Sequence, residues 1–216
     1  MKLYLSSYRI GNKTDELLKW KQKHGNKIFV IPNAVDVFPD GERKSSSIQD
    51  KCKDLEALGF ETQILDLRNF FHKKEELLSH INGVNAFYVI GGNVFVLRTA
   101  MKLSGFDEIL VELSKSDDYL YSGFSAGICV LAKDLHGIHL ADSIEADPYN
   151  YQETIWDGIG LIDYMPVPHF DTPNHPESSL MYNVVKYLEE NNLKYKTLHD
   201  GDVLLEDTTL NKTLKR

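Results

Sequence analysis

Short apolar runs alternate with amphipathic segments along most of the chain. Residues 86–90 (Ala-Phe-Tyr-Val-Ile) form a continuous apolar run closed by two glycines, which is typical of a buried strand. Between residues 45 and 58, apolar side chains recur at helical spacing and Gly59 follows, so this segment predicts a helix with a glycine cap. The same criteria predict strands at residues 3–8, 27–34, 62–67, 119–123, 161–167, 195–198 and 203–205, and helices at residues 14–25, 73–81, 94–103, 107–114, 126–132 and 176–191.

This alternation predicts βαβ units, in which helices connect parallel strands. We therefore expect an α/β fold with a central, mostly parallel sheet between two layers of helices, a three-layer α/β/α sandwich. The sequence holds no internal repeat and no linker rich in Gly, Ser or Pro. We expect one domain spanning residues 1–216, a length that suits a single α/β domain.

Charge and cysteine content exclude several classes of partner and site. The chain has 24 basic and 32 acidic residues, a net charge of −8, which disfavours both nucleic acid and an anionic membrane as partners. The two cysteines, Cys52 and Cys129, form no CxxC pair, so we expect no zinc ribbon. The N-terminus is too polar for a signal peptide and no apolar run reaches 18 residues, so we expect a cytoplasmic protein.

The strongest chemical motif is Gly123-Phe124-Ser125-Ala126-Gly127, which has the spacing of a nucleophile elbow. It lies between a predicted strand and a predicted helix, where a sharp turn would lift the hydroxyl of Ser125 above the edge of the sheet. The N–H of Ala126, at the helix N-terminus, would then form half of an oxyanion hole. The alternative interpretation is a tight turn in which the serine only caps the helix.

A second glycine-rich turn, Gly91-Gly92-Asn93, ends the strand at residues 86–90. Adjacent parallel strands end at the same edge of a sheet, so the N–H of Gly92 is our candidate for the second oxyanion donor. The alternative is a phosphate-binding turn, but the G-x-G-x-x-G pattern of dinucleotide sites is missing.

An activated serine needs a general base and a carboxylate that orients it. His169 follows the predicted strand 161–167 and is the first candidate for the base, because a strand of the same sheet would bring it to the catalytic edge; His199 is the second. A structural histidine at a proline-rich corner is the alternative. The candidate carboxylates are Asp200, Asp142 and Glu145.

Three motifs together, residues 89–95, 123–127 and 168–170, resemble the aspartyl dipeptidase (peptidase E) and cyanophycinase family of serine peptidases over roughly residues 1–206. The family resembles class I glutamine amidotransferases in fold. The resemblance implies Ser125 as nucleophile, His169 as base, and Gly92 and Ala126 as oxyanion donors. For the acid it implies Asp142 or Asp200; we favour Asp200, because a strand-end turn is the firmer platform.

The resemblance predicts a serine peptidase that needs no metal or organic cofactor. We expect short peptides as substrates, because the loops are too short to suggest a long cleft, and we expect a monomer or a weak homodimer. Members of the family are expected to hold an acidic substrate side chain with a basic residue near the histidine. The segment after His169 has no Arg or Lys, so an acidic substrate would need His175 in protonated form. We also expect Asn93 to contact substrate. The rival functions are a non-catalytic binding module and a nucleotide- or flavin-binding domain.

Overall fold

The strands form two sheets in a computed structural model that describes residues 1–210. Six strands make the central sheet in the order β3-β2-β4-β5-β1-β8, and all of its pairings are parallel except that of β8 with β1. Two further strands, β6 and β7, form a separate parallel pair. The strands are β1 (Lys2–Ser6), β2 (Lys27–Ile31), β3 (Glu61–Ile64), β4 (Ala86–Val89), β5 (Leu120–Phe124), β6 (Met165–Val167), β7 (Tyr195–Thr197) and β8 (Val203–Asp207).

Helices connect most of these strands. They are α1 (Thr14–His24), α2 (Glu42–Ala57), α3 (Lys74–His80), α4 (Val94–Ser104), α5 (Phe106–Leu113), α6 (Ala126–Cys129) and α7 (Ser178–Glu190), with three short 3-10 turns at Asn33–Val37, Leu67–Phe70 and Ile138–Leu140. None of the helices within residues 1–210 is long and apolar enough to cross a bilayer.

Both faces of the central sheet are covered, as the apolar run at β4 predicts. Alternate side chains of a strand point to opposite faces. In β4, Phe87 and Val89 belong to one hydrophobic core, whereas Ala86 and Tyr88 belong to a second one. Two cores on opposite faces require two covering layers, which gives the predicted three-layer α/β/α arrangement.

One predicted strand was placed in the wrong sheet. Residues 161–167 were expected to form a strand of the central sheet, but only Met165–Val167 is extended, and it pairs with β7 instead. Leu161 and Ile162 donate their N–H groups to the carbonyl of Leu131 and so fold back on the segment after α6. Pro166 brings no N–H to a ladder, which suits a short peripheral strand.

The glycines of the elbow allow very close packing of β5 and α6 against β4. A Cβ atom added at Gly123 or at Gly127 would overlap the carbonyl oxygen of Val89. A Cβ atom at Gly91, just after β4, would lie 2.8 Å from Cβ of Ser125. The three glycines therefore bring the end of β4 into direct contact with the turn that carries Ser125.

We expect Gly127→Ala to destabilise the protein by about 1–3 kcal/mol, because the new methyl group meets backbone that cannot rotate away. Urea unfolding of the variant and the wild type measures the difference. Gly41→Ala is the control, since a Cβ atom there has open space around it and should change the free energy of unfolding by less than ~1 kcal/mol. Equal effects of the two substitutions would contradict this account of the elbow.

Candidate active site

Three neighbouring parallel strands end at one place on the edge of the central sheet. In the register of the sheet, Val89 of β4 lies beside Gly123 of β5, and Phe124 of β5 lies beside Ser6 of β1. The residues that follow these strands, Gly91, Ser125 and Ser7, consequently meet above the carboxyl edge, which is where ligands bind in sheets of this kind.

Ser125 is held in a strained backbone conformation. Its φ of 51° and ψ of −124° lie outside the regions that a residue with a side chain prefers, a strain on the order of 1–3 kcal/mol. Its N–H donates to the carbonyl of Ser7 at 3.2 Å, and its own carbonyl accepts from Ile128 and Cys129 in the first turn after the elbow. These backbone hydrogen bonds hold the turn on both sides of Ser125 and so keep its backbone in the strained conformation.

The small sheet brings His169 and Asp200 together. Val167 of β6 pairs with Thr197 of β7 in parallel, so the residues that follow both strands emerge side by side. His169 Nδ1 lies 2.7 Å from Oδ1 of Asp200. This contact leaves Nε2 as the ring nitrogen that is free to exchange a proton, which is the arrangement of a base oriented by a carboxylate.

The imidazole of His169 is almost fully enclosed, with 2% of the residue exposed. His175 stacks on it face to face, with 3.8 Å between ring centroids, and Tyr8 lies edge-on to both rings. Burial lowers the pKa of His169 and outweighs the opposing effect of the Asp200 carboxylate. The neutral imidazole, which is the form that accepts a proton, is therefore favoured.

Glu177 adds a carboxylate on the other side of the ring, with Oε2 at 3.9 Å from Nε2 of His169. Together with His175, these residues place three metal-type ligand atoms within 4.8 Å of one another. However, lone pairs of imidazole nitrogen lie in the ring plane, and the two stacked rings are parallel to within 2°. Their lone pairs do not converge on one point, so the set is not preorganised for a metal ion.

Both candidate oxyanion donors lie at this edge. Gly92 has a φ of 152°, and a Cβ atom on it would overlap the carbonyl of Ala34, so only glycine fits there. Ala126 is the first residue of α6, and its N–H has no carbonyl partner within the helix. Among the described residues neither N–H group donates a hydrogen bond, which leaves both available to a ligand.

The other predicted candidates occupy different positions. Asn93 is 5% exposed; its Oδ1 caps α4 and its Nδ2 donates to the carbonyl of Ser143, so both polar atoms of its side chain have structural partners. Glu145 is exposed on the segment that follows. His199 is also exposed, with Nδ1 directed at the carbonyl of Asp171, and among the described residues its ring has no hydrogen bond to the elbow.

Sequence reasoning missed Ser7, Tyr8 and Glu177. The first two follow β1, and only the strand order, which places β1 beside β5, brings them to Ser125. Glu177 lies eight residues after the histidine in a polar segment, and no periodicity distinguishes it from a solvated charge.

Asp142 lies at the N-terminus of α4 rather than beside His169. Its Oδ2 accepts the N–H of Val94 at 2.7 Å. Burial, opposed by this hydrogen bond and assisted by the charge of Glu177, raises the pKa of Asp142 to about 7. The geometry therefore brings Asp200, and not Asp142, to the imidazole, although Asp142 is the half-buried carboxyl whose pKa is raised to about 7.

The raised pKa of Asp142 should make the protein less stable as pH rises. Between the ordinary value of 3.8 and about 7, the folded protein holds a proton that the unfolded chain releases, so the free energy of unfolding falls across this window and is level above it. We expect Asp142→Asn to lack this pH dependence. Its free energy of unfolding, relative to that of wild type, should therefore rise by about 3 kcal/mol from pH 5 to pH 8. Urea unfolding at several pH values measures this change. The control is Asp117→Asn at an exposed position, whose free energy of unfolding should depend on pH in the same way as that of wild type. The same pH dependence for Asp142→Asn and wild type would refute the prediction.

The chain is similar to two curated bacterial proteins. It is 27% identical over 161 residues to the uncharacterized peptidase Lmo0363 of Listeria monocytogenes, covering 74% of this chain and 73% of that protein. It is 30% identical over 165 residues to the uncharacterized peptidase Lin0382 of Listeria innocua, covering 74% and 71%.

Solved structures share the fold. A protein from Listeria monocytogenes described as a candidate peptidase E superimposes with a TM-score of 0.74 at 22% identity, over 95% of this chain and 98% of that one. A peptidase from an acI-B1 actinobacterium gives 0.67 at 16% identity, over 95% and 82%.

The model of peptidase family S51 matches residues 6–210, a range that contains the elbow, the glycine turn and the His169–Asp200 pair. The chain therefore belongs to peptidase family S51 and is a serine-type peptidase.

Proposed function

We propose that this peptidase cleaves short peptides through an acyl-enzyme on Ser125, with His169 and Asp200 completing a catalytic triad. The observation that carries the proposal is the contact of the buried His169 with the partly buried Asp200, at 2.7 Å on the same edge as the strained turn of Ser125. A nucleophile on an elbow and an imidazole oriented by a carboxylate are the two parts that acyl transfer requires.

In this mechanism Nε2 of His169 takes the proton of Ser125 as Oγ attacks the peptide carbonyl. Asp200 holds the ring through Nδ1 and stabilises the imidazolium that forms. The N–H groups of Ala126 and Gly92 donate to the oxyanion of the tetrahedral intermediate. His169 then protonates the leaving amine, and a water molecule attacks the acyl-enzyme by the same steps in reverse.

The proposed nucleophile and base are not hydrogen-bonded to each other before substrate binds. Within residues 1–210 no hydrogen bond joins Oγ of Ser125 to the ring of His169. Catalytic hydrogen bonds of this kind are often long in the absence of substrate and tighten in the Michaelis complex. The His169–Asp200 contact, by contrast, is already formed and needs no such adjustment.

The charges around the site support a neutral or cationic substrate rather than an acidic one. The groups that act electrostatically on His169 include the carboxylates of Asp200 and Glu177, and the one group among them that can become cationic is His175. Because His175 stacks directly on the catalytic base, a positive charge on it opposes the imidazolium that the mechanism needs. We therefore propose that His175 is a poor anchor for an acidic side chain at neutral pH.

We place the activity in the cytoplasm. The support for this assignment is that Cys52 and Cys129 are both buried free thiols, the state expected of a reducing compartment.

A fluorophosphonate should label Ser125, as mass spectrometry of the digested protein would show. Ser125→Ala should lose both the label and at least ~10⁴-fold in kcat/KM, because the nucleophile is gone, while Tm stays within about 2 °C of wild type. Ser122→Ala is the control: this buried serine lies three residues earlier and donates to the carbonyl of Phe87, outside the proposed site. A folded wild-type protein that takes up no label at Ser125 would exclude the nucleophile.

A dipeptide library with acidic, neutral and basic N-terminal residues should rank neutral or basic members above Asp-X at pH 7.5. Removing the carboxylate with Glu177→Gln should raise kcat/KM for Asp-X by roughly 3- to 10-fold relative to neutral dipeptides, since it removes a like charge close to the reacting atoms. Glu190→Gln, the same change at the other end of α7, should leave this ratio unaltered. A wild-type preference for Asp-X would overturn the proposed specificity.

A further inference from the structure

Ser7 hydrogen-bonds to more of the proposed catalytic residues than any residue of the sequence motifs does within the described residues. It follows β1 directly and is fully buried, with 0% of the residue exposed. The position is one residue beyond the point where Ser6 lies beside Phe124 in the parallel register, so Ser7 is level with Ser125. All of its polar groups are engaged, and each of them contacts a part of the proposed triad or the turn that carries it.

The backbone of Ser7 connects the nucleophile to the turn that carries Asp200. Its carbonyl accepts the N–H of Ser125 at 3.2 Å, and its N–H donates to the carbonyl of Asp202 at 3.0 Å. Ser7 is therefore one of the residues that join the central sheet to the end of the small sheet. Any shift of β1 along its axis would displace both ends of the proposed triad together.

The hydroxyl of Ser7 connects the base to the acid. It accepts the backbone N–H of His169 at 2.8 Å and donates to Oδ1 of Asp200 at 2.9 Å. A longer approach of 3.4 Å to the carbonyl of Leu198 is the only competing acceptor among the described residues. The same Oδ1 faces Nδ1 of His169, so this carboxylate oxygen is held from two directions and cannot rotate away from the ring.

We infer that Ser7 is a positioning residue, whose hydroxyl fixes the Asp200 carboxylate against His169 while its carbonyl fixes the backbone of Ser125. The inference rests on the proposed function for its catalytic consequence, but the geometric part concerns the His169–Asp200 contact alone. Ser7 itself faces no open cleft, since it is fully buried, and acts through the groups it holds.

Ser6 provides a matched control. It is equally buried, lies on the same strand, and donates its hydroxyl to a backbone carbonyl, that of Tyr8, at 3.1 Å. It makes no side-chain contact with His169 or Asp200 within the described residues. Ser6→Ala therefore measures the cost of losing a buried serine hydroxyl next to the site, and Ser7→Ala adds the loss of the two contacts with the base and the acid.

The kinetic test compares both variants with wild type on the best dipeptide of the library. We expect Ser7→Ala to lose roughly 10- to 100-fold in kcat with KM changed less than about threefold, because misaligned groups slow proton transfer without removing substrate contacts. The acid limb of the kcat/KM profile should move to lower pH, because a displaced Asp200 carboxylate stabilises the imidazolium of His169 less. Asp200→Asn should move it further in the same direction. Ser6→Ala should do neither, and equal kinetics for Ser6→Ala and Ser7→Ala would overturn the inference.

A spectroscopic test does not depend on activity. The proton between Nδ1 of His169 and Asp200 should give a downfield NMR signal that shifts or broadens in Ser7→Ala and is unchanged in Ser6→Ala. This result in a protein that takes no fluorophosphonate at Ser125 would support the inference while the proposed function fails; an unchanged signal in Ser7→Ala would overturn the inference alone.

If Ser7→Ala does not fold, Ser7→Cys replaces it, because a thiol is similar in size to the hydroxyl but is a weaker hydrogen-bond donor. The same shift of the NMR signal is expected in smaller measure. Wild-type kinetics and a wild-type signal in Ser7→Cys would overturn the inference.

Discussion

The close contact of the elbow with the carbonyl of Val89 is the constraint on which the site depends. Gly123 and Gly127 have no Cβ atom, and this allows β5 and the short α6 to approach β4 more closely than any other residues would. That approach bends the chain sharply enough to hold Ser125 at positive φ and to place Gly91 against its Cβ atom. Ser125 and the glycine turn are thus brought together by close backbone packing.

His169 and Asp200, the proposed base and acid, reach this edge by a different route. They follow β6 and β7, which form their own pair and are not strands of the central sheet. Two structural units therefore supply the proposed triad. The turn after β7 lies against the segment that follows β1, where the N–H of Asn12 donates to the carbonyl of Gly201. The buried contacts of Ser7 and the backbone bonds around it join the two units.

The sequence predicts the local parts of this structure well and the long-range parts poorly. Periodicity and glycine positions locate nearly every strand and helix, because those signals arise within a few residues of one another. The placement of residues 161–167 in the central sheet was wrong, since pairing depends on distant partners that periodicity does not reveal. For the same reason position along the chain gave only a small preference for Asp200 over Asp142 as the partner of His169, and Ser7 gave no signal before the strand order was known.

The separate pairing of the small sheet has a consequence for motion. His169 and Asp200 follow its two strands and share a 2.7 Å contact, whereas Ser125 follows β5 of the central sheet. Ser7 hydrogen-bonds to groups of both units, so a displacement of one sheet against the other would strain these bonds before it changed the distance from Ser125 to the proposed base. The orientation of the imidazole by its carboxylate lies within one unit and would survive such a displacement.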